Sequence, residues 1–142
     1  MLNASQTCSS LNRLSVAHSR SLTVYLQYAP PWLEKGHEEV TTVLEQIVRD
    51  QEATVDRIGT MIQSAGEDID PGKFPISFTA LHDLSIEYLV SLMIEGQREI
   101  ISISEKAVSE LAADAMAQAV AQEAVGAAKA HLDSLLEIAD SE

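Results

Sequence analysis

The chain has 142 residues, 46% of them hydrophobic, and carries 22 acidic against 9 basic side chains for a formal charge of −13. That length and apolar content predict one domain, residues 1–142, with a core of its own, and exclude disorder throughout. The negative charge argues against nucleic acid and anionic membrane as partners, and an aromatic content of 4% leaves few rings for base stacking.

The first helix is expected from about residue 9 to 29. Ser9 or Ser10 caps it, and Pro30-Pro31 stops it. Leu11, Leu14, Val16, His18, Leu22, Tyr25 and Leu26 fall on one broad face at helical spacing. Before Pro30 this segment has Arg13 and Arg20 but no Asp or Glu. Cys8, just ahead of it, is the only cysteine, so no disulfide can form within the chain and a reducing cytoplasm is the simpler expectation. The opening residues lack an apolar run after a basic start, so no signal peptide is expected; no window is apolar enough for a membrane span.

Trp32 and Gly36 lie in a short connection, and a second helix follows over about 37–65 with Glu38 and Glu39 well placed in its first turn. Val40, Val43, Leu44, Ile47, Val48, Val55, Ile58 and Ile62 form its apolar stripe, and Gly66 sits where a terminating glycine belongs. The acid-rich, proline-containing stretch Glu67–Ser77 reads as one long loop crossing between bundle ends. Its acids lack the ligand spacing of a calcium loop and read as solvated.

From about Phe78 the chain reads as helix nearly to its end. A single helix of that length is improbable, so a turn is expected between Ser104 and Asp114, giving helices at about 78–105 and 111–139. The third of these four helices is apolar on more than one face, from Leu84 through Ile103, which predicts a homodimer or higher homo-oligomer formed through it. The fourth has small residues, Ala117, Ala121, Ala124, Ala127 and Ala128, leading to His131, Leu135 and Ile138. Four long helices joined short, long, short predict an all-α four-helix bundle with one long crossover between helices two and three.

Three segments carry a resemblance to a family. LNRLSVAHSRSLTVYLQYA is similar to the opening helix of bacterioferritins and their ferritin-like relatives, LMIEGQRE to their third helix, and AHLDSLLEI to the end of their fourth. The same separation divides His18 from Gln51 and Glu95 from Ala128, as a two-repeat arrangement would require. The resemblance implies a ferritin-like bundle. It also implies a test of the metal site, for which the family uses one Glu from each of two helices and a Glu-x-x-His from each of the other two.

Position by position, the implied ligand set is largely gone. The first-helix Glu is His18. The second-helix pair falls on Gln51 and Thr54, or on Glu52 and Val55 if shifted by one, and the fourth-helix pair falls on Ala128 and His131. Glu95 matches on the third helix. Without bridging carboxylates a conventional di-iron ferroxidase centre is not expected, and Glu52 stands where the haem-ligating Met would be, so haem is not expected either. The primary expectation is therefore a non-catalytic oligomeric or ligand- and partner-binding protein without a cofactor. The competing expectation is a metal-binding oxidoreductase or iron-handling protein in which His18, Glu95 and His131 hold one Fe, Zn or Mn ion. Arg98 stands one turn from Glu95 and offers it an ion-pair partner instead, and His37 and His82, near helix starts, are expected to face solvent.

Overall fold

Helical propensity dominates the chain, and in the computed structural model every regular element is a helix; residues 4–27, 38–81 and 85–141 are described, and among them there is no strand. Helix α1 spans Ala4–Ser19, α2 Leu22–Gln27, α3 Glu38–Ser64, α4 Ile86–Glu110 and α5 Ala115–Ser141, with a 3-10 turn at Ile76–Ala80 before α4. His37, His82, Leu84, Trp32, Gly36 and Pro30-Pro31 lie outside the described residues.

The single first helix expected over 9–29 is instead two pieces. The Arg20 N–H makes the last bond of α1, to the Val16 carbonyl at 2.9 Å. Ser21 then accepts from the Val24 N–H at 3.3 Å through its hydroxyl, as an N-cap does, and restarts the chain as α2. A serine competing for its own backbone is the reason for the break.

Helix α3 matches its expected span closely. Gly66 has φ of 76°, the Glu67 N–H reaches the Ile62 carbonyl at 3.2 Å, and the Gly66 N–H reaches that of Gln63 at 3.0 Å. This is the paired bonding that closes a helix on a left-handed glycine.

The long segment after α3 is held against α1 and α2 along its length. Asn12 accepts from the Asp70 N–H at 2.8 Å and donates to the Asp68 carbonyl at 3.3 Å. Arg20 donates to the Pro71 carbonyl at 2.9 Å and its guanidinium lies 4.9 Å from the centre of the Phe74 ring. Phe74 and Phe78 each stand 5.4 Å from Tyr25, ring centre to ring centre.

The residues expected to open the third helix, from 78, belong to the 3-10 turn. The long helix starts later, where Ser85 accepts from the Tyr88 N–H. The turn expected between Ser104 and Asp114 falls at its late end. Leu111 ends α4 at φ −98° and ψ 15°, a conformation open to any residue, and Asp114 caps α5 by accepting from the Ala117 N–H at 3.1 Å. No glycine is needed there.

Packed together, α1 touches α3 and α4, and α5 touches the same two from the other side. Among the described residues their apolar faces make two separate cores. One gathers Leu22, Leu26, Leu44, Ile47, Leu89, Met93 and Leu135; the other gathers Cys8, Leu11, Leu14, Ile58, Ile62, Leu111 and Ala121. The α3 residues nearest its C-terminus lie in the second core and the first residues of α4 in the first. Ala117, Ala121, Ala124 and Ala128 are all buried, which lets α5 approach its neighbours closely.

Helix α4 absorbs more of its apolar residues than its sequence suggests. Ile86, Leu89, Val90, Met93, Ile94 and Ile100 are buried within one chain, leaving Tyr88 half exposed and Leu92, Ile101 and Ile103 partly so. No helix among the described residues is long and apolar enough to cross a membrane.

Candidate functional site

Between the two cores each long helix contributes a polar side chain to one layer: His18 from α1, Gln51 from α3, Gln97 from α4 and His131 from α5. All four are buried. Buried polar groups must find partners or cost free energy, so the bonding of this layer decides what it can do.

The break before α2 supplies part of it. The hydroxyls of Ser21 and Thr23 both donate to Gln51 Oε1, at 2.8 and 2.9 Å. His131 Nε2 lies 2.7 Å from Asp50 Oδ2, and Asp50 Oδ1 in turn accepts from Gln46 at 2.9 Å. His18 Nδ1 lies 2.9 Å from the Leu14 carbonyl. A carbonyl only accepts, so Nδ1 carries the proton. Burial lowers the His18 pKa below its ordinary value of 6.5, the Leu14 bond opposes that shift, and the nearby charge of His131 adds to it. His18 is thus held neutral.

Among the described residues three buried side-chain atoms stay without a partner: Gln51 Nε2 and Gln97 Oε1 in this layer, and Ser104 Oγ about two turns further along α4. The space enclosed by His18, Gln51, Gln97, Ala128 and His131 is too tight to admit a water molecule. The bundle centre is closed by its own side chains.

Of the three residues expected to share a metal, His18 and His131 come together and Glu95 does not. The Glu95 side chain is 69% exposed and accepts from Arg98 at 2.9 Å, on the outside of α4. The register explains this. Leu89, Met93, Gln97, Ile100 and Ser104 form one inward stripe, and Glu95 lies roughly 200° around the helix from Gln97 at 3.6 residues per turn. The reduced site of His18, Glu95 and His131 is therefore not assembled. Among the described residues no three His, Cys, Asp or Glu side chains are grouped to hold a metal ion. Amides have taken the inward positions on α3 and α4.

The positions aligned with the second- and fourth-helix motifs, Gln51 with Thr54 and Ala128 with His131, do line the layer. Asp50 and Gln97 are the participants that sequence reasoning passed over. Gln97 was detectable as the polar interruption of an otherwise apolar stripe. Asp50 carried no such signal, because its place depends on how closely α3 and α5 approach.

The surroundings of Cys8 disfavour the thiolate. It is buried, and its thiol is pushed above the usual pKa by desolvation first and by the charges of Glu67 and Asp114 after that. Comparison with protein-family models, curated proteins and solved structures finds no match for this chain.

Proposed function

We infer that this chain is a ferritin-like bundle whose dinuclear iron centre has been replaced by a polar layer of two amides, a neutral His18 and a His131 held by the Asp50 carboxylate, and that it works without catalysis, through its surfaces, as an oligomeric or partner-binding protein. The observation that carries this reading is the substitution of charge by amide at the centre. Gln51 and Gln97 occupy the inward positions of α3 and α4, while the one matching carboxylate, Glu95, faces solvent in an ion pair. Two iron ions need bridging carboxylates to balance their charge, and neutral amides do not replace them. Residues 65–81 leave α3 at the second core and lie beside α1 and α2, with Phe78 and Leu81 against the first core, which supports the crossover topology of such a bundle. The free thiol of Cys8 is in keeping with a reducing compartment such as the cytoplasm.

The reading is tested by loading the purified protein with Fe(II), Zn(II) or Mn(II), dialysing against a weak chelator, and measuring metal per chain and Fe(II) oxidation. Metal at background and oxidation no faster than in buffer are expected. About one metal per chain, lost in His131→Ala, would overturn it and restore the metal-binding alternative.

A further inference from the structure

An open groove of about 1050 Å³ runs between α4 and the wall made by α1, α2 and the segment after Gly72. It adjoins a second groove of about 660 Å³ toward the other end of the molecule, and the two share Val16, Ala17 and Ile103. Together they form one trough along the α1–α4 face. Its floor is apolar, with Leu92, Met93 and Ile100 at one end and Leu14 and Ala107 at the other, and Tyr88 stands half exposed in its wall.

The charge of this face sets it apart. Among the described residues five basic side chains line the trough, Arg13, Arg20, Lys73, Arg98 and Lys106, against six acidic ones, in a chain of nine basic and 22 acidic residues. The trough is therefore nearly balanced while the remainder of the chain is strongly negative. A partner carrying the same large negative charge meets least repulsion here.

The balance is also uneven along the trough. The larger groove has Arg20, Lys73 and Arg98 against Glu95 and Glu99, an excess of one positive charge. The smaller has Arg13 and Lys106 against Glu67, Asp68, Asp70 and Glu110, an excess of two negative charges. A two-fold rotation about the shared middle lays the positive half of one copy on the negative half of the other, twice over. Self-complementarity of this kind is what an isologous dimer requires.

The geometry points to the trough between α1 and α4 as the surface through which two copies of this chain pair, antiparallel, about a two-fold axis near Val16 and Ile103. This rests on the reading that the protein acts through its surfaces, and names which surface.

Sedimentation velocity over a micromolar concentration series tests it, with circular dichroism confirming that each variant is folded. A species of twice the 15.4 kDa chain mass is expected. Lys73→Glu leaves both halves negative, and Glu67→Lys with Asp68→Lys leaves both halves positive; each raises the dimer dissociation constant about tenfold or more, and the combined variant, which inverts both halves, returns it to within about threefold of the unmodified protein. Tyr88→Ala weakens pairing without touching charge. A monomer at every concentration overturns the proposal, as does a dimer that neither Lys73→Glu nor the Glu67→Lys, Asp68→Lys variant weakens. Bound metal would defeat the non-catalytic reading through a different assay, so the two failures are distinguishable.

Discussion

Ser104 is wholly buried on α4 and its hydroxyl meets no partner, so the folded state bears the desolvation of that group with nothing in return. Ser104→Ala removes the orphan and changes volume little. A stabilisation of about 1 kcal/mol is expected, seen as a higher midpoint in urea; a lower midpoint would mean the hydroxyl is bonded. His18 gives the polar layer a pH dependence whose sign is fixed. Its folded pKa is lowered, so an unfolded chain takes up a proton below the ordinary value of 6.5 that the folded chain refuses. Stability is complete above that pH and falls as pH drops from there toward the folded value. His18→Asn keeps an N–H near Nδ1 for Leu14 and removes the titration, so its urea midpoint should fall less between pH 7.5 and 5.5 than that of the unmodified protein. An unchanged slope would contradict the buried, neutral imidazole. Both histidines were visible in the sequence as polar residues in apolar helices. The lone-pair and proton assignments were not, because they depend on carbonyls and carboxylates brought in by folding.

Where the helices end is settled by local chemistry, and how much of it can be read depends on which residue does the work. Gly66 announces the end of α3, since glycine alone takes its left-handed conformation without cost. Ser21 gives no comparable sign, because serines inside helices are common and only its bond to Val24 marks the break. Glu95 failed for a related reason. Its neighbours Met93 and Ile94 are buried, which makes the whole run look inward, and only the full stripe from Leu89 to Ser104 shows that its angular position lies outside. The segment after α3 offers a test at this scale. Gly72 has φ of 64°, and a Cβ there would lie 2.6 Å from Val16 Cγ1. Gly72→Ala should destabilise by about 1–3 kcal/mol in thermal or urea unfolding, from backbone strain and overpacking together. In a Val16→Ala background the two Cγ clashes disappear while the 3.2 Å approach of the residue-16 Cβ and the backbone strain remain, so the cost should shrink without vanishing. Equal costs in both backgrounds would show that the segment does not lie against α1 at this point.

The described residues form two apolar cores separated by one polar layer, and the acidic excess of the chain lies mostly outside the α1–α4 trough. The helical class and four long helices follow from apolar periodicity, prolines and glycines. The pairing of elements across the layer does not, since it is fixed by contacts between residues far apart in sequence. Bundle interiors that hold metals keep carboxylates pointing inward and an open coordination position. This interior presents two amides, a neutral His18 imidazole and a single carboxylate, Asp50, already engaged by His131, packed too tightly for water. That difference is the central claim, and nitrogen-15 NMR of the two imidazoles tests it most directly. His18 should resonate as a neutral ring protonated on Nδ1, and one equivalent of Zn(II) should leave the nitrogens of both His18 and His131 unmoved. Loss of the Nδ1 proton pattern at His18, or a shift of both rings that saturates at one metal per chain, would contradict the closed layer and return the bundle centre to the metal-binding proteins.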